Sequence, residues 1–578
     1  MIRPPVVSAA LAFATCLAVI APRAAAQRGP AVVAPPPVPS ADVIVTADRI
    51  YTVARTHPLA EALAIRDGRI VFAGSRRATL ALKSASTRML DYAGRTIVPG
   101  IVDAHGHVLG LGQALRNVDL VGTSSYEEVI ARVVARAKEL PAGAWVLGRG
   151  WDQNQWGDTR FPTHEALSRA VPANPVALTR VDGHATLANA KAMSLAGVTA
   201  ATKDPAGGRI VRLPGGEPSG VFVDNAQGLI GRVVPAATAG ETKRDLVRAI
   251  AECNRWGLVG VHDAGASADE IRVYEEIAKE GGLNLRLYVM LGDDARGAES
   301  VGRQMAEWFS RGPQSGLYDG RLWVRSVKLY MDGALGSRGA ALLDPYSDDP
   351  GNSGLLVSTP PHIRSVAVEA LRHGFQVNVH AIGDRANRLV LDAFESALQE
   401  VPVADHRFRV EHAQIIEHSD IPRFARLGVI PSMQAVHQTS DMYWAGARLG
   451  TGRLYGAYAW RSLIDAGSII PNGSDFPVEA VNPLLSFHSA VSREDAHDWP
   501  PGGWHPEQRM TREEALESMT LWPATAAFQE EVMGSLSPGK YADFVVLDQD
   551  IMRVASSQIL QTQVVATWIG GKAVYERR

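Results

Sequence analysis

Eight short apolar runs, each followed by a stretch of helical spacing, constrain the fold of this chain more than any other feature. They occupy 96–105, 258–265, 285–291, 322–333, 375–384, 408–414, 429–435 and 469–477. Between them lie segments such as DLVRAIAECNRW and SVAVEALRHG, whose apolar residues recur three and four positions apart, the period of a helix with one buried face. Strand–helix alternation predicts parallel strands joined by helical crossovers, and eight repeats is the count of a (β/α)₈ TIM barrel. The expected fold class is α/β, with the barrel over 96–529.

The ends of the chain have a different texture. From Ala41 the runs DVIVTADRIYTV and EALAIRDGRIVFAG alternate with turn residues, and ADFVVLDQD (542–550) and VVATWIGGKAVYE (564–576) share that character, the second around a Gly570-Gly571 hairpin signal. A small β-sandwich domain built from both ends, 41–95 and 530–578, is expected. The interval from about 108 to 234 is too long for one strand-to-helix connection and holds strand-like runs of its own at 144–152 and 175–185. It is expected to be a subdomain inserted after strand 1, rising from the catalytic face of the barrel.

Residues 1–26 read as a secretory leader: Arg3, an apolar run from Val6 to Ile20, and Ala24-Ala25-Ala26 as a small-residue cleavage site. That run is shorter than the ~20 residues of a spanning helix, so a periplasmic or secreted protein with no membrane segment in its mature form is expected. Residues 27–40, rich in Pro, Ala and Val, read as a linker. Cleavage would remove Cys16 and leave Cys253, which sits in a helical pattern as a core residue with no disulfide partner. A formal charge of -3 on 578 residues, with no block of like charge, gives no footprint for nucleic acid. The partner class left is a small molecule; a homodimer stays open.

The chemistry lies at the strand ends. His105 and His107 close the first run, Lys328 lies in the fourth, His380 ends the fifth, His412 the sixth and Asp475 the eighth. A TIM barrel gathers the carboxyl ends of its strands at one rim, so residues hundreds of positions apart meet there. Alternation along an extended chain puts His105 and His107 on one face, where two imidazoles can hold one ion. Four of the 16 histidines at strand ends beside an aspartate are hard to assign to packing, and imidazole with carboxylate suits Zn²⁺ or a related ion.

AHGH (104–107) after TIVPGIVD, with GSLSPGKYADFVVLD (534–548), resembles the amidohydrolase superfamily of metal-dependent hydrolases. GWDQNQW, VDGHATLANAKA, KLYMDGALGSRGAAL, NVHAIGD, VEHAQ and GSDFPV resemble its branch of N-substituted formamide deformylases. The resemblance implies two zinc ions: His105 and His107 on the more buried one, His380 and His412 on the more exposed one, and Lys328 bridging both after carboxylation. It also implies that Asp475 binds metal and handles protons. An ammonium cannot ligate a cation whereas a carbamate is an anionic oxygen donor. A single ion held by His105, His107 and Asp475, with Lys328 unmodified, is the alternative that the residues leave open.

The mechanism expected on that site is attack of a metal-bound hydroxide on an amide-like carbonyl, with Asp475 as proton carrier and His184, from the inserted segment, helping to stabilise the oxyanion. Trp151, Asp152, Asp332 and Arg338 are the candidate substrate contacts, with Trp156 and Ser337 beside them, and His262 is a candidate support for the ligands. Cleavage of a non-peptide carbon–nitrogen bond is the leading expectation. Ester or lactone hydrolysis, a ring aminohydrolase, or a periplasmic binding protein on the same barrel are the alternatives, because specificity resides in loops that the fold does not fix.

Overall fold

The structure, a computed structural model, describes residues 40–295 and 301–577. The leader expected over 1–26 and the linker as far as residue 39 lie outside the described residues. Among those described, no helix is long and apolar enough to cross a membrane.

The chain begins with β1 (Val43–Tyr51), β2 (Leu59–Arg66), β3 (Arg69–Gly74) and β4 (Arg88–Pro99). Strand β5 (Ile101–Gly106) then enters the barrel. The run 96–105, expected as one strand, is thus divided at Gly100. The reason is space: a Cβ there would lie 2.4 Å from Val259 Cγ2 and 3.0 Å from Asp543 Cβ, so the backbone turns from one sheet into the other where only glycine fits.

The insertion follows, with β6 (Val118–Asp119), β7 (Val146–Trp151), β8 (Val176–Arg180), β9 (Ala185–Ala188), β10 (Gly208–Arg212) and β11 (Pro218–Asp224). They form one six-stranded sheet in the order β10-β11-β9-β8-β7-β6. Its core includes Val129, Val133, Trp151, Leu178, Leu187 and Val221.

The barrel resumes with β12 (Leu258–Ala266), β13 (Arg286–Gly292), a short β14 (Gln314–Gly316), β15 (Leu322–Tyr330), β16 (Gln376–Ala381), β17 (Arg409–His412) and β18 (Ile430–Ser432). Seven parallel strands run β18-β17-β16-β15-β13-β12-β5, with β14 added antiparallel to β15. Helices such as Ala239–Arg255, Ala268–Lys279, Pro360–His373 and Asp384–Glu400 cover the outside. The first two start at capping boxes, Thr238 with Glu241 and Ser267 with Glu270, each cap contributing about 1 kcal/mol.

The eighth run is not a regular strand. It closes the barrel through single contacts: Met433 N donates to Pro471 O at 3.1 Å and Gly473 N to Met433 O at 3.0 Å on one side. On the other, Ala104 N donates to Asn472 O at 3.2 Å, Asp475 N to His105 O at 2.7 Å and His107 N to Phe476 O at 2.8 Å. Pro471 has no N–H to give to a ladder, and Asp475 has φ 60°, off the extended conformation. The side chain of Asp103 supplies what the ladder lacks, accepting from Ser474 N at 3.0 Å and Ser474 Oγ at 2.6 Å.

After the barrel, β19 (Phe544–Leu547), β20 (Val564–Ile569) and β21 (Lys572–Glu576) return to the first sheet. Its order is β21-β20-β19-β4-β1-β2-β3. Strands from both ends of the described chain therefore share one seven-stranded sheet, with Leu63, Ile97, Phe544 and Trp568 in its core.

Candidate metal centre

Barrel strands bring the six expected ligands to one rim. His105, on β5, is fully buried and its Nε2 lies 3.7 Å from Asp475 Oδ1. His107, one residue past the strand, brings its Nε2 to 3.0 Å from the same oxygen. Lys328 Nζ from β15 is 3.2 Å from His105 Nε2. The His412 ring lies 4.8 Å from that of His105 and 4.5 Å from that of His380, centroid to centroid. Two of these residues hold strained backbone: His412 has φ 75° and Asp475 φ 60°, a left-handed region that non-glycine residues rarely take and that clusters at functional sites. At His412 the turn breaks strand alternation and swings the imidazole to the rim, while Arg409 and Glu411 stay inside.

Two of the ligand rings, His105 and His412, are held from behind. His105 Nδ1 is 2.5 Å from Glu411 Oε2 and His412 Nδ1 is 2.8 Å from Gln434 Oε1. A carboxylate and an amide oxygen can only accept, so both rings carry their proton on Nδ1 and turn the Nε2 lone pair into the site. Glu411 is in turn clamped by Arg409, whose Nε is 2.7 Å from Oε1, both side chains being fully buried. Burial opposes charge on Glu411, yet Arg409 and His105 hold its carboxyl well below the ordinary range.

The electrostatics suit a cation. Burial, with Lys328 beside it, lowers His105 to about 4. Burial also holds His380 and His412 well below their usual value, each with a neighbouring imidazole adding to the effect. Neutral imidazoles are the form that binds metal. Burial alone would raise Asp475, but the hydrogen bond from His107, with the imidazoles around it, outweighs burial and holds the carboxyl well below its ordinary range. Asp475 Oδ1 is a buried anionic acceptor facing the Nε2 atoms of two imidazoles, His107 and His105. His105, His107 and Asp475 place their donor atoms within 4.8 Å of one another, and so do His412, His437 and Asp475. The donor set fits a divalent ion of the zinc class.

A cavity of about 780 Å³ opens on this rim, lined by His107, His184, Lys328, His380, His412 and Asp475. A second, of about 1010 Å³, shares His184, His380, His412 and Asp475. His184, from the insertion, sets its ring 5.0 Å from that of His380, the planes tilted by 39°. Burial opposes its protonation, but the bond to Asp224 and the charges of Asp224, Asp182 and Asp332 raise its pKa.

The expected substrate contacts fare differently. Asp152 lines the larger cavity, although its carboxylate is already paired with the buried Arg180. Trp151 is fully buried inside the insertion, its Nε1 donating to Leu178 O at 2.8 Å, because the insertion needs large apolar side chains for a core of its own. Trp156 belongs to the same core. Asp332 is fully buried and accepts from the amides of Ala341, Ile382 and Gly383 at 2.8, 3.0 and 2.9 Å. It fastens backbone, and burial raises its carboxyl to about 7. Arg338 turns to Asp348 at 2.9 Å, and Ser337 is buried with its Oγ 3.3 Å from Ala334 O. Trp151, Asp332 and Arg338 line neither cavity. His262 accepts from Arg409 at 2.9 Å, one contact removed from Glu411.

Sequence reasoning missed Glu411, Arg409, Asp224, Arg149 and His437. Glu411 adjoins His412 and Arg409 lies two residues earlier, so strand alternation was an available signal for the pair. Arg149 lines both cavities. His437 is buried, with Nδ1 3.0 Å from Gln414 Nε2 and Nε2 3.8 Å from Asp475 Oδ2.

The pattern of the amidohydrolase family matches residues 88–575. The chain is 34% identical over 554 residues to Protein LONG AFTER FAR-RED 3 of Arabidopsis thaliana, covering 93% of this chain and 92% of that one. It is 28% identical to the N-substituted formamide deformylase of Arthrobacter pascens, covering 93% of this chain and 98% of that protein. The crystal structure of an uncharacterized metal-dependent hydrolase from Pyrococcus horikoshii OT3 superposes with a TM-score of 0.70 at 26% identity, over 89% of this chain and 99% of the other.

Proposed function

The chain belongs to the amidohydrolase family and is a metal-dependent hydrolase; on that premise we propose that it cleaves a non-peptide carbon–nitrogen bond, amide or formamide-like, in a small organic molecule. The observation that carries the reading is the buried carboxylate of Asp475, whose Oδ1 lies 3.0 Å from His107 Nε2 and 3.7 Å from His105 Nε2, with the donor atoms of all three residues within 4.8 Å of one another. The similarity to a deformylase over nearly its whole length supports the bond class.

His105, His107 and Asp475 would hold one ion, His380 and His412 a second, with zinc the favoured element. Lys328 would join the two sites after its amine adds to carbon dioxide and releases a proton, leaving an anionic carbamate oxygen as donor. A divalent ion supplies Lewis acidity, bringing the pKa of water towards about 7 and polarising a carbonyl. Asp475 takes the proton of the attacking water as the new carbon–oxygen bond forms, and gives it to the nitrogen as the carbon–nitrogen bond breaks. His184, at the wall shared by both cavities and with its pKa raised by Asp224, would in its protonated form donate Nε2–H to the oxygen that gains charge. The reading includes an exported protein, on the leader at 1–26.

Elemental analysis of protein grown with zinc tests the site. About two metals per chain are expected, falling to one or none in Lys328→Ala; a metal-free wild type would remove the reading. Asp475→Asn should bind N-formyl amines with little change and lose most turnover, and near-normal turnover would end the role given to Asp475.

A further inference from the structure

The glycines of KLYMDGALGSRGAAL bind no ligand in the reading above, and their surroundings give them another purpose. A Cβ on Gly333 would lie 2.6 Å from both carboxylate oxygens of Asp224, and a Cβ on Gly339 would lie 2.5 Å from Asp224 Oδ2. Neither glycine has a left-handed backbone, so space, not conformation, requires them. Gly333 N donates to Gly339 O at 3.3 Å and closes the loop around the hollow. The loop after β15 is thus a cradle, and the side chain in it comes from the inserted subdomain.

Antiparallel pairing of β9 with β11 sets Val223 opposite Ala185, which puts the next pair, His184 and Asp224, at the barrel-facing end of the two strands. Asp224 N donates to His184 O at 2.9 Å, and His184 Nδ1 lies 2.7 Å from Asp224 Oδ1. Asp224 holds φ 50°, which a side chain rarely adopts. Its carboxylate is almost fully buried, and Oδ2 has no hydrogen bond. With Nδ1 taken by Asp224, the ring atom left to meet a substrate is Nε2, and the ring packs 5.0 Å from His380.

We propose that Asp224 is a positioning residue of a composite site: seated in the Gly333–Gly339 cradle, it locks the insertion to the barrel and fixes His184 with Nε2 facing the reacting group. The function of the pair in turnover rests on the hydrolase reading above; the lock itself does not.

The test uses full-length protein labelled with ¹⁵N-histidine, the His184 signals being assigned by their loss in His184→Gln. Wild type and Asp224→Asn, which keeps an acceptor of the same shape, should show His184 protonated on Nδ1. Asp224→Ala and Gly339→Ala should lose that signal while the metal content stays at the wild-type level. On a turned-over amide, both should lose about 100-fold in kcat with KM little changed, the scale of a 1 Å misplacement, and Asp224→Asn, which holds the ring but not its positive charge, should recover part of it. An unchanged Nδ1 signal in Gly339→Ala overturns the proposal whether or not any amide is a substrate. So does a loss expressed only in KM. If Asp224→Ala fails to fold, Gly339→Ala decides. Absence of turnover in wild type, with the tautomer pattern as expected, would count against the hydrolase reading and leave the lock standing.

Discussion

His262 shows how one buried ring is tied to the barrel's charge. Its Nδ1 lies 2.9 Å from Arg409 Nη1, and a guanidinium only donates, so the imidazole must accept and stay neutral. Burial first, and Arg409 next, hold its pKa well below the ordinary value. The unfolded chain binds a proton near pH 6.5 that the folded protein refuses. The stability linked to this group is therefore present above about 6.5 and is lost as pH falls below it. His262→Gln keeps an acceptor for Arg409 without the titration. Urea midpoints measured from pH 7.5 down to 5 should fall more steeply in wild type than in the variant; parallel curves would refute the assignment.

At the scale of elements, the eighth segment is the least regular part of the barrel and the most constrained. A Cβ on Gly473 would sit 2.5 Å from His105 N and 2.8 Å from Asp103 Oδ1, so Gly473→Ala must push the segment off β5. Overpacking of this kind costs about 1–3 kcal/mol. It should also move Asp475 relative to His105, so calorimetric titration with zinc should report weaker binding alongside the lower urea midpoint. Unchanged zinc binding would mean that the ligand geometry does not depend on closure. The two stretches of helical period, DLVRAIAECNRW and SVAVEALRHG, lie in the helices Ala239–Arg255 and Pro360–His373, whose local periodicity predicted them. The eighth run did not form a strand because Pro471 lacks a donor and the Asp103 carboxylate replaces the ladder.

For the whole molecule, one buried ion pair fastens the terminal sheet to the barrel. Arg286 on β13 donates from Nε and Nη2 to Asp543 at 2.6 and 2.9 Å, both side chains nearly inaccessible. The guanidinium also lies 3.7 Å from the Tyr541 ring centre and donates to Asp319 O at 3.0 Å. Asp543→Asn leaves a buried cation without its counter-charge, a change that costs about 3–5 kcal/mol. Equilibrium unfolding should show the loss as a lower midpoint, and a shift under about 1 kcal/mol, the value of a surface pair, would show that the sheets are held by apolar contact alone.

The sequence by itself determined the alternation of barrel strands with helices and the metal-ligand candidates, because both are written locally: strand and helix periods repeat within a dozen residues, and histidines at strand ends need only the common rim of a barrel to meet. Tertiary structure decided the rest. His105 and Glu411 are 306 positions apart and His184 and Asp224 are 40 apart, and no local period links such pairs. Trp151, Asp332 and Arg338 carry side chains that suit a substrate pocket as well as they suit a core, a backbone clasp and an ion pair. Only the packing of the insertion, the amides of Ala341, Ile382 and Gly383, and the approach of Asp348 turned them away from the cavity.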